Sequence, residues 1–281
     1  MILNILVKRS GALGDVLSAT PVITRLRKLY PNARIVVHTA YPDIFKHNFA
    51  VNEINTLHEW DLNIDLDGAH ETRRALNAVD AYMEVAFGDH GNCITDKSVV
   101  LNYSKIETTE PFVAIHPNKS WDNRTMPNYW WDEVVSGIRT AGYQIAVLGT
   151  NIDYCPQGEV LDLRSRLNLE EQAAHIGAAK VFICGASGLM ILAAATSTPV
   201  IVPLTINSAQ SALPWRSGGQ GLGYFVLEAQ VPCFGCSALA TPGATFVGCE
   251  SSLKDSDLGD YACIKTIKAQ DAIQLAIKVM E

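Results

Sequence analysis

ILNILVKRSGALGDVLSATPVITRLRKLYPNARIVVH, residues 2–38, is the stretch that decides the fold. Ile2–Val7 is an almost unbroken apolar run, as a strand covered on both faces must be. Gly11 and Gly14 end the run, and Val16–Leu29 then places Leu17, Val22, Leu26 and Leu29 roughly on one helical face. Tyr30-Pro31-Asn32 supplies the stop, and Arg34–His38 follows as a second apolar strand. Strand, helix and strand on short connections form a βαβ unit, whose two strands run parallel.

Outward from this unit, Glu53–Leu57, Leu62–Leu66 and Val99–Tyr103 read as short strands and His70–Phe87 as a helix. The pattern restarts after Glu110-Pro111. Phe112–Ile115 is a strand, Tyr129–Thr140 an amphipathic helix closed by Ala141-Gly142, and Tyr143–Leu148 a strand closed by Gly149. Asn168 opens a helix over Leu169–Ala179, with Glu170 and Glu171 in the first turn, where negative charge suits the helix dipole. Val181–Cys184, a helix from Gly188 to Thr196, and Val200–Leu204 complete the series. With 281 residues, the sequence predicts an α/β fold of two doubly wound, Rossmann-like domains facing a cleft. The expected division is 1–109 for a shortened N-terminal domain and 110–281 for the C-terminal one. Ligands bind such folds at the carboxyl ends of strands, so the chemistry belongs in the βα turns.

Composition narrows the function. Lys and Arg total 22 against 29 Asp and Glu, a net charge of −7, which lacks the basic footprint of a nucleic-acid binder. Hydrophobic residues at 48% and charged ones at 18% suit a chain with a sizeable core. The N-terminal apolar run precedes its first basic residues, the reverse of a secretory signal. Leu189–Leu204 is interrupted by Thr196-Ser197-Thr198-Pro199 and is too short to span a bilayer. The expectation is a cytoplasmic protein with at most peripheral contact at the inner membrane face.

The first turn, Lys8 to Asp15, admits two readings. Gly11 and Gly14 let the backbone approach a ligand at the start of a helix, or they merely shape a tight turn with Asp15 as N-cap. Lys8 and Arg9 either steer an anionic acceptor or are solvated charges at a strand end. The longer string GALGDVLSATPVITRLRKLYPNARI, residues 11–35, resembles the N-terminal signature of glycosyltransferase family nine, the ADP-heptose:lipopolysaccharide heptosyltransferases. Gly14-Asp15, Thr20-Pro21, Leu26-Arg27 and Tyr30-Pro31-Asn32-Ala33 all fall in register. Ile115-His116-Pro117-Asn118 is similar to the family's His-Pro-Gly segment, and Arg124-Thr125-Met126-Pro127 with Trp130 and Trp131 to its Lys-Arg-Trp-Pro…Trp segment. Gly185 to Ala195 and Thr198-Pro199-Val200 resemble the Asp-Ser-Gly-x-x-His-x-Ala-Ala-Ala…Thr-Pro-Val segment.

The resemblance implies a GT-B fold and an inverting transfer that needs no metal, from a nucleotide sugar, an ADP-sugar by family habit, to a saccharide, glycolipid or lipopolysaccharide-type acceptor. Asp15 falls on the family's catalytic base. Arg124 falls on a Lys that contacts donor phosphate, and a guanidinium can bind two of its oxygens at once. Lys119 and Ser120 lie in the same loop as candidate phosphate partners, and backbone N–H groups at Ser187, Gly188 and Leu189 can hold the diphosphate. Gly11, Gly14 and His116 line the turns of the cleft, His116 either shaping its loop or touching the phosphate. Two family positions differ: its Asp, which contacts the donor sugar, is Ala186 here, and its His is Ile191. A transferase using another sugar then competes with a non-catalytic ligand-binding relative, and retention of Asp15 and of a cation at 124 favours the transferase. A nucleic-acid base glycosyltransferase is a weaker alternative, which requires Lys8, Arg9, Arg25, Arg27 and Arg34 to converge on one face.

Outside these motifs, Cys233 and Cys236, then Cys249 and Cys263, lie in a stretch rich in small residues. A Cys-x2-Cys with two further cysteines can close a tetrahedral structural zinc site, although the second pair is too widely spaced for a zinc ribbon. Disulfides and unpaired thiols stay open beside it. Trp121 reads as packing or as a stacking platform, Trp130 and Trp131 as packing, and Asn207–Gly223 as a mobile loop near the donor with Arg216 as a surface charge.

Overall fold

A computed structural model describes residues 2–119, 121–239, 249 and 261–281. The first unit runs β1 (Asn4–Lys8), α1 (Leu13–Leu29), β2 (Arg34–His38), β3 (Glu53–Ile54), β4 (Leu62–Asp65) and α2 (Ala78–Phe87). Its four strands are parallel, in the order β3-β2-β1-β4. The second unit runs β5 (Phe112–His116), α3 (Asn128–Thr140), β6 (Gln144–Val147), β7 (Leu161–Asp162), α4 (Leu169–Ala178), β8 (Val181–Cys184), α5 (Gly188–Leu192) and β9 (Val200–Leu204). It continues through α6 (Ala209–Ala212), a small hairpin of β10 (Trp215–Arg216) and β11 (Gly219–Gln220), and β12 (Tyr224–Glu228). Two helices, α7 (Ala262–Thr266) and α8 (Ala269–Met280), end the described chain.

The six-stranded parallel sheet has the order β12-β9-β8-β5-β6-β7. Read from β7, this is the 3-2-1-4-5-6 order of a doubly wound nucleotide-binding fold, and the smaller sheet is its first four strands. In each sheet the order reverses beside the first strand of the unit, so a crevice opens at the carboxyl end of β1 in one and of β5 in the other. β5, β8 and β9 are buried at every position, which explains their continuous Phe, Val, Ile and Cys content. Trp130 and Trp131 meet edge to face at 4.9 Å beneath this sheet, and the Trp130 indole donates to the Ile267 carbonyl, pinning α3 to the chain before α8. Asn168 caps α4 as expected, in a reciprocal pair with Glu171.

One apolar core joins the two units: Ile5, Val7 and Leu17 share a cluster with Phe112, Phe182, Leu189 and Val200. The segment between them binds both. Val99 N–H donates to the Trp215 carbonyl and Val100 N–H to Thr20 Oγ1. Val99–Tyr103 is therefore not the strand its alternation suggests, because its backbone hydrogen bonds go to a hairpin and a helix side chain instead of a ladder. The helix expected over His70–Phe87 begins only at Ala78, where Asn77 accepts the Val79 N–H as N-cap while its amide donates to the Ser211 and Leu213 carbonyls. Residues 70–76 form turns instead, with Glu71 drawn to Arg9 and Arg73 to Glu84. Asn207–Gly223 is also more ordered than expected. Arg216 is no surface charge: it is buried over the Tyr224 ring and donates to the carbonyls of Ala193, Thr198 and Leu222. Three backbone acceptors that a short helix end and two turns leave open are satisfied by one guanidinium.

Candidate active site

The two crevices meet. α1 starts at Leu13, three residues earlier than its apolar periodicity indicates, so Asp15 is not the N-cap but lies inside the first turn. From there its Oδ2 reaches back to accept the Ala12 N–H at 3.1 Å. Close approach explains Gly11, where a Cβ would stand 2.8 Å from the Arg9 guanidinium and 2.9 Å from Asp15 Oδ2. Gly14 and Gly188 do the same between the units. A Cβ on Gly14 would lie 3.4 Å from the Gly188 Cα, and one on Gly188 only 3.0 Å from Leu13, so the N-termini of α1 and α5 abut at the cleft floor.

Arg9 is 2% exposed at the end of β1. Its guanidinium reaches Glu71 at 2.8 Å and Asp67 and Asp15 at 3.3 Å, above the Tyr82 ring. Burial opposes its charge, but the surrounding Tyr82 and carboxylate groups outweigh that and hold it protonated. Lys8 pairs with Asp65 and Asp67 at 3.2 and 3.1 Å. Neither cation is free to steer an anionic acceptor; Lys8 is a solvated charge at the strand end, paired with two carboxylates, whereas Arg9 is buried. Arg27 likewise donates to the carbonyls of Pro31, Ala33 and Ala50, and Arg34 pairs with Glu53. Four of the five cations that a nucleic-acid groove would require are thus engaged within the protein, which removes support for that alternative.

Opposite Asp15 stands Arg124, at the end of a single 3₁₀ turn over Asp122–Arg124, with its guanidinium 4.2 Å from the centre of the Trp121 ring. Trp121 is therefore a platform for Arg124. Burial lowers the Arg124 pKa, and the Asp15 charge across the cleft works against that lowering. The carboxylate on one unit is thus near enough to the guanidinium on the other for its charge to act on it.

Beside this pair, the carboxyl ends of β5, β6 and β8 bring together His116, Asp153 and Ser187. His116 Nε2 lies 3.3 Å from Asp153 Oδ2, and Nδ1 lies 3.1 Å from Ser187 Oγ. Burial works against the Asp153 charge, but hydrogen bonds from His116, Thr150 and Lys119 overcome it and hold the carboxyl well below the usual range. Gly149 is at φ +115°, and a Cβ there would stand 2.6 Å from both His116 and Asp153. Asp153 is the participant that the sequence reading missed; its 37-residue separation from His116 carries no motif. Asn118 is buried against Gly185, and its amide nitrogen finds no partner among the described residues.

Of the other expected site residues, Lys119 lies in this crevice through its backbone, while Ser120 falls outside the described residues. The Leu189 side chain is buried in the core, which leaves only its backbone for a ligand. Ala186 is buried, and Ile191 packs on Gly14. The described cysteines are all free thiols. Burial first, then the neighbouring Cys233, Cys263 and Cys249, push the Cys236 thiol up to about 11. Among the described residues, no three His, Cys, Asp or Glu side chains stand close enough together to hold a metal ion. Among the same residues, no helix is long and apolar enough to cross a membrane.

Two Rossmann-like sheets with facing crevices form the two-lobed architecture of the GT-B class. The chain belongs to glycosyltransferase family 9 (heptosyltransferase), whose sequence pattern matches residues 45–216. Among solved structures, the fold is similar to the family 9 glycosyl transferase from Veillonella parvula DSM 2008, with a TM-score of 0.74 and 14% identity over 99% of this chain and 97% of that one. It is also similar to the iron-containing dodecameric glycosyltransferase TibC from enterotoxigenic E. coli H10407, with a TM-score of 0.76 and 18% identity over 100% of this chain and 77% of that one. The E. coli ADP-heptose lps heptosyltransferase II gives a TM-score of 0.74 and 15% identity over 99% and 98% of the two chains. At these identities the structures speak for the fold. No curated protein matches the chain in sequence.

Proposed function

We propose that the protein transfers a sugar, with inversion and without a metal in the transfer step, from a nucleotide sugar to a hydroxyl of a saccharide, glycolipid or lipopolysaccharide-type acceptor. The acceptor lies on residues 1–109 and the donor on 110–281. The observation that carries this reading is that Asp15, at the junction of the two units, lies near enough for its charge to act on Arg124 of the other unit. Asp15 takes the hydroxyl proton as the oxygen attacks the anomeric carbon. As the bond from that carbon to the phosphate oxygen breaks, the charge on the departing diphosphate falls to Arg124, Lys119, Ser120 and the backbone N–H groups of Ser187, Gly188 and Leu189. Family membership and the complex of TibC with ADP-D-beta-D-heptose support an ADP-sugar as donor. Buried Ala186 and apolar Ile191 offer the sugar no carboxylate or imidazole, so its identity is read elsewhere and heptose competes with other sugars. The proposed location is the cytoplasm, with peripheral contact at the inner membrane face.

Incubation with ADP-, UDP-, GDP- and CDP-sugars and a set of saccharide and lipopolysaccharide acceptors is expected to release ADP. If donors bind, read as thermal stabilisation, while no acceptor provokes release, the protein is a non-catalytic sugar-nucleotide-binding relative.

Cys233, Cys236, Cys249 and Cys263 are proposed as a structural metal site remote from the transfer chemistry. The residues suit a soft divalent cation, zinc or iron, in kind but not in their placement, since no three of the described thiols stand close enough together to hold one, and binding would have to draw them together. Elemental analysis of protein purified without chelator is expected to find about one zinc or iron per chain, lost in Cys236→Ser. A metal content near zero in the wild type overturns this assignment.

A further inference from the structure

A serine in the Ser187 position, immediately before a helix, ordinarily accepts a backbone N–H of the first turn. Ser187 makes no such cap. Its hydroxyl turns instead to His116 Nδ1, and the far nitrogen of the same ring faces Asp153. His116 and Asp153 are 5% and 7% exposed, whereas Ser187 is half-buried, so this chain of groups runs from the interior and opens on the crevice only at the serine. Such a buried pair is an expensive way to shape a loop, since Asp153 could be satisfied by Thr150 and Lys119 alone.

We propose that Asp153, His116 and Ser187 form a hydrogen-bonded relay that turns the Ser187 hydroxyl toward the departing diphosphate and adds the charge of an imidazolium behind it. The proposal rests on the crevice being a nucleoside-diphosphate-sugar site. Because Asp153 accepts, Nε2 carries a hydrogen in either state of the ring. In the neutral ring, Nδ1 accepts a hydrogen bond from the Ser187 hydroxyl, which then has no hydrogen left to donate to a phosphate. In the protonated ring, Nδ1–H donates to Oγ, and the hydroxyl proton is released to a phosphate oxygen. Proton binding at His116 and diphosphate binding at the crevice therefore favour each other, and by linkage the coupling is reciprocal. No proton leaves the ring; its contribution is charge and orientation. The charged and titratable groups around the ring are Asp153 from the loop after β6, Arg164 behind it on the Asp153 carbonyl, Lys119 on its own loop, and Cys184 beside it in the sheet.

Isothermal titration calorimetry with the full chain tests this, using whichever of ADP, UDP, GDP and CDP binds tightest. Between about pH 6 and about pH 8, wild-type affinity is expected to fall about tenfold more than that of His116→Gln, the scale of one hydrogen bond to a charged group. Ionisation of the nucleotide's own terminal phosphate is common to both proteins and drops out of the comparison. Ser187→Ala is expected to bind several-fold more weakly than wild type near pH 6 and equally near pH 8. Equal pH dependence in wild type and His116→Gln, or Ser187→Ala indistinguishable from wild type at both values, overturns the relay while leaving the donor site intact. A wild type that binds none of the four nucleotides overturns the donor reading itself, and the relay with it. Should His116→Gln fail to fold, Ser187→Ala, altered only at a half-exposed hydroxyl, decides alone.

Discussion

Asp15→Asn is expected to reduce sugar transfer by about a hundred- to ten-thousandfold, the usual contribution of a positioned general base. Nucleotide-sugar affinity is expected to stay within about twofold of wild type, because the substitution removes a proton acceptor without removing bulk. The fold should survive: an amide oxygen can still accept the Ala12 N–H, and Arg9 keeps Asp67 and Glu71 as partners. Steady-state release of nucleoside diphosphate, set beside donor binding by calorimetry, reads both quantities. Turnover at the wild-type rate in this variant would show that another group takes the proton.

The second large effect is expected at Arg124, and of a different kind. Arg124→Met should lower kcat about a hundred- to a thousandfold, comparable with removal of one charge-stabilising donor elsewhere, and should weaken donor and product binding as well. Arg124→Lys should recover only part of the loss, since an ammonium keeps the charge but gives up the two-pronged contact and the stacking on Trp121. The contrast separates the proposed roles: Asp15→Asn is expected to change the rate alone, Arg124→Met rate and binding together. Unchanged product affinity in Arg124→Met would remove Arg124 from the phosphate site.

What the sequence makes legible, and what it does not, follows a physical line. β1, α1 and β2 were legible because glycine, proline and apolar spacing act locally, and Asn168 with Glu171 marked a helix start for the same reason. The errors lie where distant groups decide. Residues 70–76 have helical spacing but lose the helix to long-range partners such as Arg9, and Val99–Tyr103 has strand-like spacing but makes a single backbone bond to β10, at Trp215, in place of a ladder. Arg216 looked like a surface charge because nothing nearby announces three carbonyls waiting for a donor. In the site, Asp15, Arg124, His116 and Ser187 were visible through motif resemblance. Asp153 was not, since only the folding of the β6 loop onto β5 brings it to His116.

The seam between the two halves bears on how the enzyme moves. Enzymes built from two Rossmann-like lobes are often imagined as jaws on a hinge, but here the lobes share side chains in one apolar cluster. Glycine-to-glycine contact between α1 and α5 leaves no slack at the floor, and buried bonds from Asn77 and Val99 cross the seam. Opening the jaws would expose that cluster and strand those donors together, at the cost of a substantial share of a marginal fold's stability. The two halves thus share a single core, and widening the cleft between them would have to break it.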